Sequence, residues 1–491
     1  MGLISLDFAL FLLVVLLLNW VLVPTKTIYR LFLLGACYVF YGSLSPVFLL
    51  LLIHFSFWTW LLGLGIGGAR SHRWRKGLLS VHLVIGVGGL VFFKYYDLLY
   101  ESLSHVFAQM GIGTLVPELD IAVPVGISFF TFQGLSYTID VFRDPRCLVK
   151  KPLDIFIFTA FFPTILSGPI MRSKDFIPQI GNMRLDGKSS GEAFSLIVMG
   201  LAKKLVLSSY LLEHVVQPVF ESPGDFSSVT AAVGALGYSV QILCDFSGYT
   251  DLVTGIALLM GYSIPPNFNN PYSARNLKDF WHRWHISLSL WLRDYLYIPL
   301  GGNRGGPTRK YLNIFITMTL GGLWHGANWN FLIWGCFHGL GLVATHLFTD
   351  VRTRITSKRA AEATSVPANP LSRPVRTILD VASWASTFGF VTVGWVFFGT
   401  RSLDQATALL RQIFAFDLGG RDLSPSITAI VVAVIAVVLL HEALRIQLRA
   451  GLNRLLQATP MALQIAVLSL LMGIILRLAP DGVPQFIYYQ F

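Results

Sequence analysis

Two histidines stand in strongly apolar parts of this 491-residue sequence. His285 lies in FWHRWHISLSLWLRDYLYIPL (280–300), and His325 lies in LGGLWHGANWN (320–330). An ionisable side chain is costly to place in hydrocarbon, so such residues are candidates for function by default. A neutral imidazole can accept the proton of a hydroxyl group near pH 7, and His325 is our candidate for such a general base. We expect His285 to orient His325, polarise a substrate carbonyl or stabilise an oxyanion.

The surroundings of His325 predict that it lies deep in a membrane. The basic segment GGNRGGPTRK (301–310) marks a membrane surface, and an α-helix from Lys310 would raise His325 by about 22 Å. Glycines allow backbone or a ligand to approach closely, and polar groups follow at once; these residues are Gly321, Gly322, Gly326, Asn328 and Asn330. We expect catalysis or ligand contact here. The alternative is an imidazole bonded to a neighbouring carbonyl.

The segment around His285 has the periodicity of an amphipathic helix. At 3.6 residues per turn, one stripe carries His282, His285, Ser289 and Arg293, and a neighbouring face is aromatic and aliphatic. The pattern predicts a helix that lines a polar cavity. A helix anchored at the membrane interface fits it equally well, because Trp and Tyr collect there.

Two carboxylates interrupt a long apolar run at DFSGYTD (245–251). Asp245 and Asp251 must be protonated, paired or facing water. Their candidate partners are His285, Arg283, Lys203 and Lys204. A carboxylate bonded to an imidazole fixes its tautomer and raises its basicity. We favour this supporting role over a polar clamp between two helices.

Other motifs carry less information. Arg304, Arg309 and Lys310 could contact the phosphates of a donor, but the segment lacks Walker spacing and also reads as a plain turn. The sequence contains no G-x-S-x-G motif. Cys37, Cys147, Cys244 and Cys336 match no zinc spacing, and we predict neither a metal site nor a disulfide framework.

The composition is that of a membrane protein. Hydrophobic residues make up 54% and charged residues only 13%, against about 25% charged in soluble domains. Apolar runs long enough to cross about 30 Å of hydrocarbon recur along the chain. We predict an all-α polytopic membrane protein with spans at 6–24, 29–45, 46–67, 78–95, 121–142, 193–212, 228–262, 311–348, 377–399, 425–441 and 462–479.

Several of these segments are irregular. We expect 228–262 to bend near Gly248, and 311–348 to break near Gly321–Gly322 or Asn328–Asn330. The shorter apolar pieces at 154–170 and 286–300 suit re-entrant or interfacial helices. The first apolar run follows no basic segment and contains no small-residue cleavage site, so we predict a retained span rather than a signal peptide.

The net charge of +11 is spread over loops rather than concentrated in one block, which argues against nucleic-acid binding. Basic clusters at 70–76, 143–151, 352–376 and 445–454 predict cytoplasmic loops, and the segment 97–120, without Lys or Arg, suits the outside. Both termini then lie outside. We divide one membrane domain into N-terminal spans (1–120), a catalytic core (121–349), a cytoplasmic loop (350–376) and C-terminal spans with an outer tail (377–491).

In these motifs the chain resembles the membrane-bound O-acyltransferase (MBOAT) family, in particular the bacterial branch that contains the alginate O-acetylation and teichoic-acid D-alanyl transfer proteins. The resemblance rests on PVGISFFTFQ (124–133), FPTILSGPI (162–170), DFSGYTD, the segment around His285 and LGGLWHGANWNFLIWG (320–335). It implies a ring of about 11 transmembrane helices around a central tunnel. It also implies that His325 is the family's invariant histidine and His285 its second site residue, with Ser289 and Asn328 beside them.

The resemblance further implies an enzyme of the bacterial inner membrane. Such an enzyme moves an acyl group, here expected to be acetyl, from a cytoplasmic thioester to a hydroxyl outside, for O-acetylation of a polysaccharide. The donor substrate would be acetyl-CoA or an acyl-carrier thioester, with no bound cofactor, and the partner a periplasmic acetyltransferase of the serine-hydrolase type. The C-terminal FIYYQF is similar to a family tail in which Tyr488 would relay the acyl group, although an interfacial anchor also fits.

Three alternatives stay open at this point. The same fold could transfer D-alanine from a carrier protein to teichoic acid. A transporter could use the histidines as a proton relay, although we detect no inverted repeats in the sequence. A scaffold that recruits partners through its tail is the third.

Overall fold

The computed structural model describes residues 1–111, 117–183, 187–362, 373–458, 470–471, 473–475 and 477–478, and in them the regular structure is helical. Six described helices are long and apolar enough to cross a membrane: Pro46–Gly68, His72–Gln109, Ser190–Glu221, Ser228–Leu259, Trp329–Ser357 and Arg373–Gly399. Shorter apolar helices cover Leu6–Leu22 and Pro425–Leu440. The prediction of an all-α polytopic membrane protein is confirmed. The predicted span 462–479 lies mostly outside the described residues.

The helix ends lie on two faces of the molecule. We call one of them the basic face, and it carries the segments 69–71, 144–151 and 298–305. Two ion pairs lie at this face, one between Arg30 and Asp154 and one between Lys310 and Asp350. The other, the opposite face, carries the segments 43–45, 117–126, 222–227 and 400–402. Side chains tie these segments to their neighbours, as where the Tyr41 hydroxyl donates to the Val125 carbonyl at 2.7 Å.

The apolar run 311–348 is broken, as its length predicted, and its two helices form a hairpin. One helix covers Gly306–His325, and the chain turns before the next begins at Trp329. The break therefore falls at the second of the two predicted places. The two helices cross closely at Gly322, where an added Cβ would lie 2.7 Å from the Gly335 Cα and against the Phe331 carbonyl oxygen.

We expect Gly322→Ala to destabilise this hairpin by about 1–3 kcal/mol, because the new methyl group meets backbone atoms that must shift. Thermal unfolding of the purified protein in detergent measures the effect. Gly389→Ala is the matched control, since a Cβ at that exposed helical glycine meets nothing within 4 Å. Equal melting temperatures for the two variants would contradict the crossing.

The apolar run 228–262 is one uninterrupted helix, Ser228–Leu259. The helix is not interrupted near Gly248, where we predicted a bend. Gly248 instead permits a close crossing, because an added Cβ there would lie 2.8 Å from the Gly200 carbonyl oxygen. The crossing helix begins as Gly187–Leu201 and continues through the π-helical segments Ala202–Ser208 and Leu212–Val216.

The segment 154–170 enters and leaves on the basic face, as expected of a re-entrant element. It starts as the short helix Pro152–Ala160, anchored by the pair between Arg30 and Asp154. An irregular stretch then leads back to Arg172, whose guanidinium pairs with Asp294 at 3.0 Å. Irregular backbone at membrane depth is tolerated where protein surrounds it, and much of 161–171 is buried.

Candidate functional site

His325 is the last residue of the Gly306–His325 helix, and it is almost fully buried. Three aromatic rings surround the imidazole, with centroid distances of 4.9 Å to Trp324, 5.0 Å to Trp334 and 5.1 Å to Phe398. The Lys94 ammonium donates to the carbonyl oxygens of Trp324 and His325, at 2.7 Å each. A cation at a helix C-terminus stabilises the carbonyls that lack partners within the helix, so Lys94 holds this helix end in place.

A cavity of about 340 Å³ extends between His325 and the basic face. Cations and histidines line it toward the surface: Lys278, His282, Arg293 and His346. Ser289 lies along its wall. Among the described residues that line this cavity, none is Asp or Glu. The basic-face cavity is therefore suited to an anionic ligand.

Two further cavities lie toward the opposite face. The smaller, of about 90 Å³, is lined by His325, Trp324, Lys94 and the segment 123–129. The larger, of about 700 Å³, contains Lys94, Asp245 and Asn328 and adjoins the smaller one through shared wall residues. His325 thus lines cavities that approach from both faces of the protein.

The predicted stripe through His285 is wrong, because the helix breaks at that residue. One helix ends at Arg283 and the next begins at Ile286, while His285 has φ +43°, in the left-handed region. A non-glycine residue is rarely found there, and such strain persists only where surrounding contacts hold it. Of the four stripe residues, those that line the basic-face cavity are His282, Ser289 and Arg293.

His285 points into the core instead. Its Nδ1 lies 3.1 Å from the Asn267 Oδ1, which also accepts from the backbone and hydroxyl of Ser287 at 3.2 and 2.8 Å. The imidazole packs 5.9 Å from the Trp324 ring, and that ring packs 4.9 Å from His325. Both histidines therefore pack against the same Trp324 indole, which lies in contact with each of them.

The two carboxylates of DFSGYTD pair with the predicted lysines. Lys204 Nζ lies 2.6 Å from Asp245, and Lys203 Nζ lies 2.7 Å from Asp251. Both pairs join the Ser228–Leu259 helix to the one before it, as the polar-clamp alternative requires. Asp245 also lines the larger cavity of the opposite face. A supporting role for either carboxylate in chemistry stays a prediction.

The remaining candidates fall in several places. Asn328 donates to the Arg401 carbonyl at 3.0 Å, and Ser289 donates to the Trp284 carbonyl at 3.4 Å. Lys310 is paired with Asp350, and Arg309 donates to the Leu300 carbonyl. Arg304, Arg309 and Lys310 are not among the described lining residues of the basic-face cavity. Donor binding by these three residues stays a prediction. Tyr488 lies outside the described residues.

Sequence reasoning did not identify four residues as lining the cavities at His325: Lys94, Lys278, Trp281 and Trp334. A signal existed for Lys94, because it is a single lysine in the apolar run 78–95. The described residues contain no cluster of His, Cys, Asp and Glu that could hold a metal ion.

Comparison with known proteins identifies similar sequences. Residues 91–373 match the membrane-bound O-acyltransferase family. The chain is 36% identical over 395 residues to the probable alginate O-acetylase AlgI of Pseudomonas aeruginosa, covering 79% of this chain and 70% of that protein. It is 30% identical over 409 residues to the peptidoglycan O-acetyltransferase of Helicobacter pylori, covering 78% and 73%. A teichoic acid D-alanyltransferase of Bacillus subtilis is 30% identical over 240 residues, covering 46% and 59%.

Proposed function

Because this chain belongs to the membrane-bound O-acyltransferase family and is a multi-pass membrane acyltransferase, we propose that it transfers an acetyl group from a cytoplasmic thioester to a hydroxyl group presented at the opposite face. The choice of acetyl is supported by the relatives matched over most of their length, whose names are those of O-acetylases. The D-alanyltransferase match covers less than half of this chain.

One observation carries the proposal: His325 lines a cavity on each side of the protein. A donor in the basic-face cavity and an acceptor in the opposite-face cavity would meet at this imidazole. Neither substrate would have to cross the membrane, because only the acyl group changes sides. The family assignment as an acyltransferase favours this account over the transporter and scaffold alternatives.

The basic-face cavity suits a thioester donor. Acetyl-CoA and acyl-carrier thioesters both carry phosphate, which Lys278 and Arg293 at the outer part of the cavity can attract. Arg304, Arg309 and Lys310 follow in the adjacent loop and helix start. The positive-inside rule supports a cytoplasmic position for this face. We propose that the protein lies in a bacterial inner membrane with both termini outside.

The reaction itself needs one base. The acceptor oxygen attacks the thioester carbonyl carbon while its proton passes to His325, and a tetrahedral oxyanion forms. When this intermediate collapses, the carbon–sulfur bond breaks and the ester remains. The leaving thiolate takes the proton from the His325 imidazolium, so the histidine returns to its neutral form. Proximity of the two cavities supplies the alignment that such an attack requires.

Other residues would act through their positions. His285, held by Asn267, would orient Trp324 and with it His325. Asp245 and Asp251 would hold together the two helices beside the larger opposite-face cavity, which would receive the acceptor. Asn328 lines that cavity, and Ser289 lines the basic-face cavity. The acceptor would be a polysaccharide hydroxyl, reached through a periplasmic acetyltransferase of the serine-hydrolase type or through Tyr488.

The direct test uses purified protein in liposomes with acetyl-CoA labelled in the acetyl group. We expect release of free CoA thiol together with labelled ester on the acceptor side. A D-alanyl carrier thioester offered in parallel distinguishes the second family activity. Uptake of intact acetyl-CoA without thiol release would refute the proposal and indicate transport.

Asn267→Ala is expected to lower kcat about tenfold to a hundredfold with little change in KM, because it frees His285 without touching either described cavity near His325. Steady-state acetyl transfer measures this. Ser287→Ala is the control. It removes one bond to the same Asn267 oxygen and the acceptor of the Ile170 N–H, and it leaves the bond to His285. An equal loss in both variants would show that local packing, not His285, is responsible.

A further inference from the structure

Two indole N–H groups stand out beside the basic-face cavity. Trp281 and Trp334 both line this cavity, and they are 9% and 1% exposed. Each Nε1 is buried and has no acceptor among the described residues. Their rings lie 5.7 Å apart, and the Trp334 ring lies 5.0 Å from His325. The Trp334 ring thus packs against the proposed base, and the Trp281 ring packs against Trp334.

A buried donor without an acceptor is unusual. Leaving such a donor unpaired is energetically costly, and most buried polar side-chain groups have a hydrogen-bond partner. The fold provides acceptors for other indoles. Trp395 donates to the Tyr272 hydroxyl at 3.0 Å, and Trp291 donates to the Phe132 carbonyl at 3.0 Å. The contrast indicates that the acceptor for the two cavity indoles belongs to a ligand.

A neighbouring imidazole does not satisfy them. His338 packs 5.3 Å from Trp281 and 4.8 Å from Trp334, measured between ring centroids. Neither of its ring nitrogens has a hydrogen-bond partner among the described residues. His338 therefore fixes the positions of the two indoles by packing and leaves their N–H groups available.

We propose that Trp334, together with Trp281, donates hydrogen bonds to the acyl carbonyl oxygen of the bound thioester. The inference rests on the proposed acyl transfer, and it deepens that function by assigning the groups that stabilise the oxyanion. As the acceptor hydroxyl attacks, negative charge develops on this oxygen, and preorganised donors in a site shielded from water stabilise that charge. No atom is exchanged with the indoles.

Indole is chemically suited to this position. It is a donor only, carries no charge that must be buried, and offers no nucleophile that the acyl group could modify. The assignment also divides the work between residues. His325 accepts and returns the proton, and the two tryptophans bind the carbonyl oxygen. His285 is not among the described lining residues of either cavity at His325, and its role is to orient Trp324 and His325.

The test compares three Trp→Phe variants, each of which keeps an aromatic ring and loses the N–H. We expect Trp334→Phe to lower kcat for acetyl transfer about a hundredfold, and Trp281→Phe to lower it about tenfold. Trp395→Phe is the matched control, because Trp395 stacks on Trp334 in the same cluster but already donates to Tyr272. We expect its kcat to stay within threefold of the unsubstituted protein.

A second measurement separates carbonyl recognition from packing. S-ethyl-CoA is a thioether without the carbonyl oxygen, and its affinity should be the same for the unsubstituted protein and for Trp334→Phe. Unchanged kcat in Trp334→Phe, or an equal loss in Trp395→Phe, would overturn the assignment. If Trp334→Phe does not fold, Trp281→Phe decides the question by the same criteria. Failure of the unsubstituted protein to release CoA thiol would instead refute the proposed function.

Discussion

Replacing His325 with alanine is expected to reduce acetyl transfer about a thousandfold, because the attacking hydroxyl loses its base. The protein should still fold. Lys94 bonds to the backbone carbonyl oxygens of Trp324 and His325, and the substitution leaves both in place. The measurement is thiol release from acetyl-CoA by purified protein, together with envelope ester content in cells.

The matched control for this variant is His54→Ala. His54 lies in the Pro46–Gly68 helix, is exposed and accepts a hydrogen bond from Trp58. It is not among the described lining residues of the two cavities at His325. We expect it to retain full activity. Full transfer by a folded His325→Ala protein would refute the assignment of His325 as the base, whatever the control does.

Removing the carboxylate of Asp245 is expected to cost about 3–5 kcal/mol of stability, because Lys204 loses its ion-pair partner in a buried setting. The two side chains are each only 6% exposed. Thermal unfolding of Asp245→Ala in detergent measures the loss. It should exceed that of Gly322→Ala, since a buried charge is costlier than a local overpacking.

Two comparisons make this expectation specific. Asp144→Ala removes the partner of Arg146 in a pair that is 91% and 39% exposed, and it should change stability far less than Asp245→Ala does, because water screens an exposed pair. The double variant Lys204→Met/Asp245→Leu should recover much of the stability, because it removes both charges. A single Asp245→Ala variant as stable as Asp144→Ala would show that the pair is not a structural clamp.

Together these variants distinguish a residue needed for acyl transfer from a residue needed for stability. His325→Ala should lose transfer and keep its melting temperature, whereas Asp245→Ala should lose stability first. The distinction follows from where each residue lies: His325 lines two cavities, while Asp245 forms an ion pair that joins two helices.

The sequence alone determined the helical membrane class and the break in 311–348. It also indicated an irregular element at 154–170 and nominated His325 as the candidate base. Each depends on local properties. Hydropathy over about 20 residues reports whether a segment can span a membrane, and Gly, Pro and polar residues within such a run report where it must break. A histidine in an apolar run is visible without knowing any contact.

The tertiary structure decided what periodicity could not. Regular helical spacing put His285 on a stripe with His282 and Ser289, but contacts with Asn267 hold it in a left-handed conformation. Several contacts join parts of the chain that are far apart in sequence. They are the ion pairs of Asp245 and Asp251, the cap that Lys94 provides and the tryptophans of the basic-face cavity. Such contacts depend on how helices pack against one another, and the pattern of a single segment does not contain that information.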